Sequence, residues 1–381
     1  MTTILYITDL HAGSRVPELA GIREFAAEHD WHVEEIETRR LTEPLARIIE
    51  YWSPGGIIFD GSGHDLPSHK IFSQLPLVHV DPGERTLADP SAFIVANDDA
   101  AIADLALREL QQTGCDHFAF VGWPNYSGWS QRREKRFVKR LAALGKKAIV
   151  LEDPWEKGNK ADFAHRLKPF LTSLPRPCGI FAANDDIASV ILDVCRMESL
   201  SVPGDFFVIG VDDDPAICDN LSPSLTSVRP SFKHGGRLAA RLLLKRLAEP
   251  NAAPEKLTYI PLGVTPRLST RHVSAVNPRV MQALDLIRRE ACAGLKAADV
   301  VKFLGVSERL AETRFKASVG RRITEEITEV RLAHALELLR DPRQTITPIA
   351  NLCGWDSDVY LKRLFKRRFG MTMREWQNQR G

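Results

Sequence analysis

From Thr3 to about Thr265, short runs rich in Val, Ile and Phe alternate with amphipathic stretches. No other feature of the chain constrains its fold as much. A strand that is apolar at consecutive positions must be covered on both faces, and helices between successive strands provide that cover in a parallel α/β sheet. The expected strands include "ILYIT" (4–8), "HVEEIE", "GGIIFDG", "LPLVHVD" and "AFIVAN". After Gly114 the alternation restarts with "HFAFVG" (117–122), "KAIVLE", "CGIFAAND" and "FFVIGVDDD". Helices are expected at Glu18–His29, Asp99–Gln112, Ser130–Leu144, Ala161–Ser173 and Ile187–Ser199. One sheet of usual size cannot take so many strands, so two α/β lobes with a cleft between them are expected.

Ligands of such sheets bind outside the carboxyl ends of the strands. Those ends carry Asp9 and His11, Asp60, Trp123, Asn184 and Asp185, then Asp212 and Asp213. Carboxylates that accept from neighbouring hydroxyls, with an indole face for C–H surface, suit a polyhydroxylated ligand. An Asp or Asn after a strand is equally a helix cap, and Asp98 and Asp99 are read as caps. There is no P-loop, no G-x-G-x-x-G after the first strand, no G-x-S-x-G and no metal-ligand spacing. No cofactor, no metal and no catalytic residue is therefore expected.

The chain carries a net charge of +2, unevenly spread. Arg279–Gly381 holds 20 Lys and Arg against 13 Asp and Glu, and the remainder holds 31 against 36. A basic C-terminal module on a mildly acidic body points to a polyanionic partner for that module alone. The six cysteines are scattered among apolar neighbours, which reads as reduced, buried thiols. No leader pattern precedes the first strand, and no apolar run approaches the length of a membrane span. A cytoplasmic protein without a membrane partner is expected.

"PLGVTPRLSTRHVSAVNPRV" (261–280) reads as crossover and linker. This divides the chain into a body at 1–265, a linker at 266–277 and a wholly helical module at 278–381. Within that module "SERLAETRFKASVG" (307–320) and "SDVYLKRLFKRRFG" (357–370) align without a gap at an offset of 50. Ser307 and Ser357 are expected N-caps, and Gly320 and Gly370 C-caps. A short helix and a Gly-containing turn precede each copy, so two helix-turn-helix motifs are expected, at about 297–318 and 347–369. Ser307, Glu308, Arg309, Glu312 and Thr313 form the expected DNA face of the first copy. Asp358, Val359, Lys362 and Arg363 form that of the second. Lys316, Lys366, Arg367, Arg368, Arg321 and Arg322 are placed for phosphates.

Two resemblances sharpen this reading. "VIGVDDDPAICDNLSPSLTSVRPSFKHGGRLAARLLLKRL" (208–247) resembles the last segment of the LacI/GalR regulator body, which shares the periplasmic-binding-protein fold. "FAFVGW … SGWSQRREKRF" resembles the segment in which that family places a ligand-binding Arg four residues before a Phe, here Arg133 before Phe137. "FAANDDIA" resembles its Asn-Asp turn. The resemblance implies that Arg133, Asp185 and Asp212 touch an effector, with Asp9 and His11 as further candidates. Arg136 departs from the family's usual Gly.

Over its roughly 100 residues the helical module resembles the AraC/XylS family, through Ile346, Ile349, Ala350, Gly354, Trp355, Tyr360, Leu361, Phe365, Lys366 and Gly370. Trp355 replaces the usual Phe. Met373 replaces a Pro, which is expected to loosen the last helix. The combination resembles the xylose-responsive regulators. It implies a dimeric transcription factor, usually an activator, that engages double-stranded operator DNA and RNA polymerase under control of a monosaccharide, D-xylose favoured. Two other readings remain: a solute-binding protein with a helical partner-binding tail, and a carbohydrate enzyme.

Overall fold

The computed structural model describes residues 1–8, 12–37, 44–61, 75–123, 127–151, 160–271, 278–319, 321–339, 345–369 and 372–378. Asp9, His11, Gly320 and Gly370 lie outside them. The chain divides into two compact units, Met1–Arg271 and His272–Gly381.

The first unit contains two six-stranded sheets. One orders β2 (Trp31–Glu37), β1 (Thr2–Thr8), β3 (Gly56–Asp60), β4 (Leu77–Val80), β5 (Ile94–Asn97) and β11 (Lys256–Tyr259), all parallel. The other orders β7 (Ala148–Val150), β6 (His117–Val121), β8 (Cys178–Ala182), β9 (Phe206–Val211) and β10 (Thr226–Arg229) in parallel, and β12 (Gly263–Thr265) runs antiparallel on β10. Strands β3, β8 and β9 are buried along their whole length. That is why the expected apolar runs show little period-2 alternation.

The lobes are not consecutive halves of the chain. After β10 the chain returns to the first sheet through the helix Phe232–Ala248 and β11, then crosses again to β12. The three crossings are tied together. Asp98 N donates to Tyr259 O at 3.0 Å, and Leu262 N donates to Arg229 O at 2.7 Å. Ser231 Oγ donates to Ile260 O at 2.7 Å. The returning helix crosses Ala12–Ala27 backbone to backbone. A Cβ on Gly236 would stand 2.1 Å from Glu18 O, and one on Gly21 would stand 1.9 Å from Lys233 O. Glycine is therefore required at both positions.

Residues 266–271, read from sequence as the start of the linker, are built into the second lobe. Arg267, Leu268, Ser269 and Thr270 are buried, the last three in a 3-10 turn. Ser269 Oγ accepts from Thr226 N at 2.8 Å and donates to Val208 O at 2.6 Å. A Pro/Ser/Thr-rich stretch without helical period looks like a linker, but its hydroxyls here satisfy backbone groups at the edge of a sheet.

The second unit is helical throughout its described residues, at Pro278–Glu290, Ala297–Leu304, Glu308–Val319, Ile323–Leu338, Ile346–Leu352, Asp358–Phe369 and Met373–Asn378. The turns of both helix-turn-helix motifs hold a glycine in the left-handed region, Gly305 at φ 68° and Gly354 at φ 76°. Leu361, Leu364, Phe365, Trp355 and Ile349 form one core with Leu332 and Ala335 of the long helix and with Leu339 just after it. Met373 opens the final helix, Met373–Asn378, and is buried. Thr372 and Glu375 close a capping box, with Thr372 N donating to Glu375 Oε2 at 2.6 Å and Glu375 N to Thr372 Oγ1 at 3.2 Å.

Candidate effector cleft and DNA-facing helices

The second lobe gathers the expected residues most tightly. Arg133, on the helix Gly128–Ala143, is 4% exposed. Its Nε donates to Asp99 Oδ1 at 2.9 Å and its Nη1 to Ala183 O at 2.6 Å. The indole of Trp129 lies 4.6 Å from the guanidinium carbon. Three neighbours thus fix the guanidinium, and Nη2 has no partner among the described residues. Asp99 was read from sequence as a cap, but the cap is Asp98, whose side chain accepts from Ala101 N at 2.8 Å. Asp99 is the counter-ion of Arg133 and also accepts from Arg132 Nε at 2.8 Å. Sequence gave no signal for this, because the two carboxylates are adjacent and the arginines are more than 30 residues away.

Asp212 follows β9 with φ 111°, and Asp213 follows with φ 54°. Two successive non-glycine residues in this region mark a strained turn held by its surroundings. The Asp212 carboxylate has no hydrogen-bond partner among the described residues. Burial pushes it well above the usual carboxylate range, the charge of Asp185 pushes further, and Arg133 opposes both. Arg133, bonded to the carbonyl that follows β8, and Asp212, which follows β9, thus both lie at the carboxyl ends of the second sheet, with no ion pair between them among the described residues.

Asp185 has a different place from the one expected. It is 1% exposed, and its oxygens accept from Ser227 Oγ at 2.7 Å, Asp214 N at 3.0 Å and Cys218 Sγ at 3.2 Å. Burial pushes its carboxyl up to about 7 against these three donors. It braces the Asp212–Asp214 turn from beneath, and Gly210 makes room, since a Cβ there would meet Asp185 Oδ1 at 2.2 Å. Asp213 accepts instead from Arg267 Nη1 at 2.7 Å and from Thr265 Oγ1 at 2.6 Å. Asn184 is a cap, accepting from Ile187 N at 3.0 Å. The half-buried Trp123 lies beside Trp129, with ring centroids 6.0 Å apart and the planes tilted by 43°.

In the first lobe Asp60 is buried at the end of β3. Beside it lie Glu18, Tyr6, Asp81 and Tyr259, none of which the sequence singled out. Asp81 accepts from Asn97 N and from Tyr259 Oη, each at 2.6 Å. Burial raises the Glu18 carboxyl well above its usual range, and Asp60 and Asp81 raise it further. No group of three or more His, Cys, Asp or Glu among the described residues can hold a metal ion. Arg132 joins the lobes, with Nη1 donating at 2.9 Å to Glu84 on the short helix after β4 while Nε holds Asp99. Arg136 ties Asp104 on the neighbouring helix and lies outside the cleft.

In the helical unit Ser307, Glu308, Arg309, Thr313, Lys316, Lys362, Arg363, Lys366 and Arg367 are exposed, and Glu312 and Asp358 are half-buried. The two second helices begin at Glu308 and Asp358, as the repeat requires. Ser307 O accepts from Ala311 N at 2.8 Å and Ser357 O from Leu361 N at 3.4 Å. Some cations are engaged within the unit. Lys362 Nζ lies 2.7 Å from Asp358 Oδ2, Arg368 pairs with Glu329 at 3.5 Å, and Arg321 with Glu326 at 3.3 Å. Lys316, Lys366 and Arg367 carry no such pair among the described residues.

A two-lobed ligand-binding fold joined to tandem helix-turn-helix motifs defines a ligand-controlled DNA-binding transcriptional regulator. A periplasmic binding protein-like domain matches residues 107–270, and a helix-turn-helix domain matches residues 300–379. The chain belongs to the family of the xylose operon regulatory proteins. It is 30% identical to the xylose operon regulatory protein of Escherichia coli K12 over 99% of this chain and 96% of that one. It is 31% identical to that of Haemophilus influenzae over 86% of each. A solved structure described as a xylose-binding transcription activator matches 99% of this chain and 98% of its own, at 28% identity and TM-score 0.59. A LacI family regulator from Enterococcus faecalis with bound ribose matches the fold of 70% of the chain at TM-score 0.57 and 20% identity. No described helix is long and apolar enough to cross a membrane.

Proposed function

We propose that the protein is a cytoplasmic, homodimeric activator of sugar-utilisation genes, that D-xylose is its effector, and that it acts with RNA polymerase and without catalysing a reaction. The observation that carries the effector reading is that Arg133 and Asp212 both stand at the carboxyl ends of the second sheet. A fixed guanidinium with a spare N–H and a carboxyl at the ends of a parallel sheet offer a donor and an acceptor to vicinal hydroxyls. The indoles of Trp129 and Trp123 beside them suit the C–H face of a sugar ring. Asp60 is the corresponding contact from the first lobe, with Asp9 and His11 its companions from the first loop. Asp185 serves by holding Asp212 in place.

A ligand contacting both lobes changes the balance between their arrangements only through its differential affinity for them. The Arg132–Glu84 ion pair belongs to that balance. The DNA contacts are assigned to Ser307, Glu308, Arg309, Glu312, Thr313 and Lys316 in the first motif. In the second they are assigned to Asp358, Lys362, Arg363, Lys366 and Arg367. Isothermal titration of the full chain against a panel of pentoses and hexoses tests the effector. Xylose should bind, and Arg133→Ala or Asp212→Asn should weaken it at least tenfold. Tighter binding of another sugar in the panel replaces xylose, and titration heats indifferent to both substitutions remove the site.

A further inference from the structure

The second recognition helix presents an apolar side chain where its first turn would meet the base edges. Val359 is 70% exposed, the most exposed large apolar residue among the described residues of the helical unit. Its polar neighbours make contacts within the helical unit. Asp358 holds Lys362 Nζ at 2.7 Å and accepts from Thr347 Oγ1 at 3.2 Å. The Arg363 guanidinium lies over the Tyr360 ring, 5.7 Å from its centroid. The most exposed apolar group of the first turn is the isopropyl of Val359. In a helix-turn-helix the N-terminal residues of the second helix are those that reach the bases. Among base edges in the major groove, the thymine C5-methyl is the one apolar feature.

We infer that Val359 selects a thymine, by packing against its methyl group, at one position of the site read by the helix Asp358–Phe369. This inference rests on that helix being a DNA reader. The 50-residue repeat gives it a consequence. The position equivalent to Val359 in the first copy is Arg309, which is exposed. Arginine pairs with guanine O6 and N7, so the two motifs read different bases at equivalent positions. The two halves of one protomer's site are then not copies of each other.

The experiment selects bound sequences from a randomised duplex library with the full-length chain. Each thymine of the selected site is then replaced by deoxyuridine, which removes only the methyl. At one thymine in the segment under the second motif, deoxyuridine should weaken wild-type binding about three- to fivefold, the value of one buried methyl. The same replacement should change binding by Val359→Ala less than about 1.5-fold, since the partner methyls are gone. In a repeat selection, Val359→Arg should convert that thymine to guanine. The inference is overturned if every deoxyuridine step is equal in wild type and Val359→Ala, or if Val359→Arg selects the wild-type site. If the wild-type chain enriches no sequence, the DNA-reading assignment falls with it, which separates the two failures.

Discussion

Replacing Asp99 by Asn removes the charge that holds Arg133 and leaves the shape of the site intact. Both partners are buried, with side-chain exposures of 2% for Asp99 and 5% for Arg133. Breaking such a pair leaves a buried cation uncompensated and costs about 3–5 kcal/mol. Three features place this case at the lower end. The amide oxygen of Asn still accepts one bond, the bond to Ala183 O survives, and the Trp129 face remains. Arg132 also loses a charged partner, but it is 23% exposed and keeps Glu84, so its share is small. The expected loss is about 3 kcal/mol in the sensor transition of a urea titration, with the helical unit fitted as a separate transition. Effector affinity should fall at least tenfold, because the guanidinium loses the group that aims it. Asp98→Asn is the control. Asn caps as well as Asp, so a change within about 0.5 kcal/mol is expected one residue away. A loss below about 0.5 kcal/mol for Asp99→Asn, with effector affinity unchanged, would refute the claim that this ion pair positions Arg133.

Asp185 predicts a pH dependence. Its native carboxyl keeps a proton up to about pH 7, whereas the ordinary value is 3.8. The native state therefore binds more protons than the unfolded state between those values, and this group's contribution to stability falls as pH rises through that window. Asp185→Asn lacks this loss, so the stability of wild type relative to the variant should decline from pH 4 to pH 7; a constant difference across the range would count against the burial argument. In the helical unit, Lys366→Ala and Arg367→Ala should each reduce the slope of log K against log salt by about 0.9 on both specific and random duplexes. An unchanged slope would remove these residues from the phosphate-contact set.

The α/β alternation and its restart after Gly114 were enough to find both sheets, because strands buried on two faces leave long apolar runs. The return of the chain to the first sheet was not legible. Strand β11 is the half-exposed Lys256–Tyr259, which has no such run. The tandem repeat was legible because Phe315 and Phe365 must fill equivalent cores. At the cleft, strand-end position identified the neighbourhood but not the division of labour. Asp98, Asp99, Asp185, Asp212 and Asp213 are the same residue type, and only three-dimensional partners separate cap, counter-ion, brace and open carboxyl. The same holds for Glu18, which sequence places on a helix face and the structure buries beside Asp60.

A sugar held between the lobes is expected to control the grip of the helical unit on DNA. Fluorescence anisotropy of the full-length chain on its selected duplex, titrated with and without saturating D-xylose, tests it most directly. Xylose should change the apparent affinity at least fivefold, about 1 kcal/mol of coupling, and Arg133→Ala should abolish the change while DNA binding without sugar persists. Identical binding curves with and without xylose, under conditions where calorimetry shows the sugar bound, would contradict it.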